Sequence, residues 1–221
     1  MTVLARRIGL DLRSLRPYAR QGLFALVIIF LPVLVSPEHD TSGMVFAAVV
    51  LAAAIGPQYL FSNDERGRLD TLYAALGVPR ARTVWGRYAS CLLLVIGLAA
   101  VALLLSWGLA EILGSSLDLE LLGPLAVGGI ALAGLVMCVQ LPVFFAVGFT
   151  RARPITFLAL ALVVAAFLAP ALLSPELAAA ALEWVAGASA GILMLLALLV
   201  LAVAVAGSAA VSVRLYARRD L

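Results

Sequence analysis

Six stretches of this chain carry no charged residue at all: 21–37, 41–63, 88–110, 121–150, 154–175 and 184–213. A helix needs about 20 predominantly apolar residues to cross the hydrocarbon core of a bilayer. The first stretch is the shortest, and the others meet or exceed that length. If each stretch crosses once, the segments between them fall on alternating sides. One side receives the N-terminal segment, 62–87, 151–153 and the tail, which hold five, five, two and three arginines, all fifteen basic residues of the chain. The other side receives Glu38, Asp40, Glu111, Asp118, Glu120, Glu176 and Glu183 and no basic residue. Basic residues stay on the cytoplasmic side of a membrane, so both termini are expected in the cytosol.

A hydrophobic fraction of 65% and a mean hydropathy of +1.15 exclude a water-soluble domain. The net charge of +3 conceals a strong polarity. Fifteen arginines against five acids leave the inner segments at +10, and seven acids leave the outer ones at −7. A basic inner face suits anionic lipid headgroups and needs no nucleic acid to explain it. There is no lysine, so the chain holds no P-loop and cannot hydrolyse ATP in that way by itself. That absence, with the richness in alanine and arginine, points to a bacterial cytoplasmic membrane. The lone histidine, His39, and the two cysteines, Cys91 and Cys138, build neither a metal site nor a nucleophile set, and no catalytic residue is expected.

The expected fold is therefore all-α and integral to the membrane, a single transmembrane domain over 1–221 with six transmembrane helices. The spans are placed at about 19–37, 43–61, 87–113, 121–150, 154–173 and 184–213. Leu4, Ile8, Leu12 and Leu15 recur at helical spacing among arginines, which predicts an amphipathic helix on the inner surface over 2–17. Arg151, Arg153 and Pro154 predict a tight inner turn between the fourth and fifth spans. Ser174, Pro175 and Glu176 form a helix start, which predicts a short outer helix before the sixth span.

The segment 61–88 carries the most chemistry. Asn63 is placed to cap a helix whose first turn holds Asp64 and Glu65, and Gly77 and Pro79 are stop signals. Between them Leu69, Leu72, Tyr73 and Leu76 follow the i, i+3, i+4, i+7 pattern of one apolar stripe. Acidic residues on an inner-leaflet helix are repelled by anionic lipid but fit a protein groove lined with basic groups. Asp64, Glu65, Arg66, Leu69, Leu72, Tyr73 and Leu76 are therefore expected to dock a cytosolic partner.

Phe61, Asp64, Glu65, Leu69, Leu72, Leu76, Pro79, Arg80, Val84, Gly86, Arg87 and Tyr88 together resemble the permease subunits of type-2 ABC exporters, and the tail 216–221 looks like that family's usual ending. The resemblance implies a cytosolic coupling helix between spans 2 and 3 that binds a separate ABC ATPase. It also implies two ATPase copies carrying ATP and Mg, and a second permease copy, identical or related. Transport then runs along a path at the dimer interface, with no cofactor on this chain. Gln140, Pro142 and Ser106 are the candidates for lining such a path, and Glu111 for an outer gate. The near absence of charge along the spans suits a hydrophobic or amphipathic cargo: a peptide, an antibiotic or a lipid-like molecule. Two other readings are a haem-exporter-B-like permease of cytochrome c maturation and a membrane scaffold without an ATPase.

Overall fold

In a computed structural model the described residues are 9, 11, 13, 14, 16–35, 42–114, 119–174, 176 and 189–219. Most of the expected surface helix over 2–17 lies outside them, as do nearly all of the expected outer helix and the start of the sixth span. Regular structure among the described residues is entirely helical. A single 3-10 turn, Arg16–Tyr18, leads into α1 (Ala19–Val35), α2 (Ser42–Gly67), α3 (Leu69–Ala75), α4 (Arg80–Leu113), α5 (Leu119–Val147), α6 (Phe149–Leu173) and α7 (Ala190–Ala217).

Four of the described helical segments are long and apolar enough to cross a membrane: Gly43–Gly67, Arg80–Leu113, Val127–Val147 and Leu195–Ala217. The two other expected spans exist as helices, α1 with 17 residues and α6 with 25. A bilayer leaves no water to satisfy stray backbone groups, and helices satisfy them internally. The turn expected between the fourth and fifth spans differs in place from the expectation. Gly148 adopts φ +81, a left-handed conformation that glycine takes without a side-chain penalty. Its N–H closes α5 on Phe144 O (3.0 Å) and its carbonyl opens α6 to Ala152 N (3.0 Å). Arg151, Ala152, Arg153 and Pro154 are consequently already helical.

Helices α2, α4, α5 and α7 form the central bundle: α5 packs along both α2 and α7, α4 lies against α2 and α7, and α1 and α6 flank them. The core is knitted by Val49, Leu60 and Phe61 of α2, Val84, Tyr88 and Val95 of α4, and Val136, Leu141 and Phe144 of α5. Phe61 meets Phe144 and Phe145 with ring centroids 5.0 and 4.9 Å apart. Such pairs contribute about 0.5–1.5 kcal/mol each beyond their buried area. Leu23, Phe24, Leu104, Leu195 and Val203 remain exposed on the outer faces, as lipid-facing residues must.

Candidate functional site

The arginine-rich end of the bundle gathers almost every charged contact. It begins at α3, where the structure departs from the single helix expected over 64–76. Helix α2 runs on through Asn63, Asp64, Glu65 and Arg66 to Gly67 and then stops, because Arg68 adopts φ 47. A left-handed non-glycine residue breaks a helix outright. Helix α3 follows with seven residues, none of them buried. It ends in a Schellman motif: Gly77 at φ +65 donates to Ala74 O (3.1 Å) and Val78 donates to Tyr73 O (3.0 Å). Gly77 and Pro79 thus act as the stop signals they were read to be. Leu72 and Leu76 are 49% and 67% exposed at this end.

Asn63 does not cap a helix. Inside α2, it accepts from Tyr18 Oη (2.9 Å) and donates to Ser14 O (3.2 Å), tying the N-terminal segment to α2. Asp64 does not face a partner either. It is 8% exposed and pairs with Arg87 of α4, itself 1% exposed. The other arm of Arg87 meets Asp11 Oδ1 at 3.1 Å, and Ser90 Oγ donates to Asp11 Oδ2 at 2.7 Å. The guanidinium also lies 5.3 Å from the Phe61 ring centroid, within cation–π reach. Two carboxylates from distant parts of the chain thus share one buried guanidinium. Arginine stays charged under these conditions, and its fork suits two acceptors at once. Glu65, one residue on, points the other way and accepts from the backbone N–H of Thr150 at 2.9 Å, at the start of α6. An acid there also complements the positive end of that helix.

At the other side of α3, Asp70 meets the chain's last helix. Tyr216 Oη donates to Asp70 Oδ1 (2.9 Å), and Arg219 Nη1 lies 3.5 Å from Asp70 Oδ2. Arg80, first residue of α4, places Nη1 at 2.9, 2.6 and 3.3 Å from the carbonyls of Tyr216, Ala217 and Arg219. The first two carbonyls close α7 and the third lies just beyond it, where the carbonyls of a last helical turn lack their full set of helical donors.

Compared with known families, residues 8–217 match the one described as ABC-2 family transporter protein. The chain belongs to that family. It is a permease subunit of an ABC-2 type transporter, a membrane transport component expected to partner an ABC ATPase. No curated protein and no solved structure matches it. The match does not favour the haem-exporter-B reading.

Inside the permease's bundle, the path candidates are scattered. Ser106 of α4 and Gln140 of α5 are fully buried, and Pro142 is half-buried. Gln140 Nε2 donates to Ala54 O (3.3 Å), two residues before the Gly56–Pro57 pair, and its Oε1 finds no partner. Glu111 is exposed near the far end of α4. Grooves of about 190 and 300 Å³ lie between α5 and α7, lined by residues such as Ile130, Ala131, Leu135, Ala197 and Leu201. None of the three path candidates lines either one.

A polar clamp that the sequence reading passed over sits within the bundle. Tyr88 Oη lies 2.7 Å from Ser208 Oγ and 2.9 Å from Ser212 Oγ, joining α4 to α7. Ser208 donates to Cys138 O on α5 (2.7 Å). That commits the Ser208 proton, so Tyr88 donates to Ser208 and is left to accept from Ser212. The available signal was the pair Ser208 and Ser212, four residues apart on one face of an otherwise apolar helix. For Asp11 and Arg87 it was a lone acid in a basic segment and an arginine opening an apolar stretch.

Proposed function

We propose that this permease is the membrane half of an ATP-driven exporter, with six spans and both termini in the cytosol, and that α3 is the coupling helix on which a separate ATPase docks. The observation that carries the reading is Leu72 and Leu76, exposed on and just past a short helix at the arginine-rich end of an ABC-2 permease. Large apolar side chains at a membrane's polar edge suit a protein groove, and Arg66 and Glu65 beside them suit a charged rim. Two permease copies with two ATPase subunits would place the cargo path at the permease interface. ATP and Mg would sit on the ATPase. Closure of the ATPase pair would push on α3 and tilt the permease halves as rigid bodies. The uncharged interior favours a hydrophobic or amphipathic cargo.

The placement of Asp64 changes which variants test docking. Reversing its charge would bury a second cation beside Arg87 and damage the fold. Leu72→Arg and Leu76→Arg touch exposed groups alone. The tagged permease, purified from its native membrane in mild detergent, should bring down a P-loop ATPase with vanadate-sensitive hydrolysis. Either variant should lose that ATPase while inserting normally. Full retention of the ATPase in both would overturn docking at α3.

A further inference from the structure

We propose that Arg80, Asp70, Tyr216 and Arg219 form a latch that makes α3 and the C-terminal end of α7 one mechanical unit. This deepens the reading of α3 as the ATPase-docking helix and rests on it. The covalent chain joins α3 only to α2 and α4. The latch adds a route into the last helix, 146 residues away in sequence from Asp70.

Helix α3 cannot hold its own orientation. Seven residues are well below the length at which an isolated helix is stable in water. No side chain caps its start, and left-handed residues, Arg68 and Gly77, flank it on both sides. The chain turns out of the α3 axis at both. Contacts to Asp70 from Tyr216 Oη of α7 and from Arg219 Nη1 just beyond it hold α3 from outside.

Arg80 completes the latch from the other direction. It stands just past Gly77 and reaches the carbonyls of Tyr216 and Ala217 at the end of α7 and of Arg219 just beyond it, with its guanidinium 5.7 Å from the Tyr216 ring centroid. A permanent positive charge there meets the negative end of the α7 dipole. Arg219 also packs on the α5–α6 turn, its Nη2 3.0 Å from where a Cβ on Gly148 would stand. A side chain at 148 would crowd the guanidinium and push it aside. Tyr216 is buried at 2% exposure, so the latch is built into the bundle rather than laid over it. A push on α3 is therefore delivered to α7 at its inner end. Helix α7 in turn carries Ser208 and Ser212, the partners of Tyr88.

The test uses the complex with its co-purified ATPase in nanodiscs. Spin labels are placed at Ala74 on α3 and Ala210 on α7, both exposed, on a Cys91→Ala, Cys138→Ala background. In the parent, the distance distribution should be narrow and unchanged between the nucleotide-free and the ATP–vanadate-trapped complex. In the Asp70→Ala, Tyr216→Phe double variant it should broaden, and should shift on trapping, with the ATPase still bound. Asp70→Glu, which keeps an acceptor for both partners, should restore the narrow distribution. A double variant as narrow and unresponsive as the parent overturns the latch, as does a parent whose α3–α7 distance changes on trapping. A preparation that carries no ATPase defeats the docking reading instead. The latch is then decided on the permease alone, by whether the double variant broadens the distribution.

Discussion

Replacing Arg87 by methionine and, separately, Asp64 by asparagine tests the electrostatic account of the buried cluster. Asp64 and Asp11 both lean on the Arg87 guanidinium, and all three are almost wholly buried. Two acids against one base leave the cluster with an excess negative charge. Asp64→Asn removes that excess and leaves Arg87 with Asp11 at 3.1 Å. It costs one charge-assisted hydrogen bond, about 1.5–3 kcal/mol, less whatever the relieved carboxylate repulsion returns. Arg87→Met leaves two buried carboxylates without a counter-charge. Breaking a buried pair this way costs about 3–5 kcal/mol. For chains of about 150–250 residues, 1 kcal/mol shifts Tm by about 2–4 °C. Arg87→Met should therefore lower Tm by about 6–20 °C, and Asp64→Asn by about half of that or less. Thermal unfolding of the detergent-solubilised permease, followed by loss of the monodisperse peak on size-exclusion chromatography, reads both. A third variant, Asp11→Asn with Asp64→Asn and Arg87→Met, leaves no buried charge and should be more stable than Arg87→Met alone. Equal damage from the two single variants, or no recovery in the triple, would refute the reasoning.

Three further outcomes follow from the packing. Tyr88→Phe deletes the hydroxyl between Ser208 and Ser212 and should cost about 0.6–1.7 kcal/mol, the measured scale for hydrogen bonds between helices in a bilayer; an unchanged Tm would show that the serines re-pair elsewhere. Gly134→Val drives a side chain into Leu201 where α5 crosses α7, and should destabilise by about 1–3 kcal/mol through overpacking; tolerance in the same unfolding assay would mean that α7 can move away. Gln140→Leu removes a buried amide whose Oε1 has no partner and should leave Tm unchanged or raised. If it also abolishes cargo-dependent ATP hydrolysis by the complex, Gln140 belongs to the path, whereas retained stimulation would place it among packing residues.

Much of this architecture is legible in the chain because its signals are local and one-dimensional. Uncharged stretches locate the long helices, and Gly77 with Pro79 locates the end of α3. What pattern reasoning misjudged was facing. Asp64 and Glu65 are neighbours, and a helix advances 3.6 residues per turn, so adjacent side chains diverge by roughly 100°. One therefore turns into the bundle toward Arg87 while the other stays outside against Thr150. No spacing rule could predict that, because the choice belongs to α4 and to the N-terminal segment carrying Asp11. The left-handed turn at Arg68, which splits the expected helix, was equally hidden, since nothing about an arginine announces φ 47.

The sequence by itself determined that this chain is a helical membrane protein whose arginines stand outside its long uncharged stretches, because hydrocarbon excludes charge and forces backbone pairing within each segment. Only the tertiary structure decided which of those charges work inward. Asp11, Asp64 and Arg87, like Asp70, Arg80 and Tyr216, lie far apart along the chain and meet only once the helices have packed. Their pairing energies depend on burial and distance, and neither quantity exists until the bundle does.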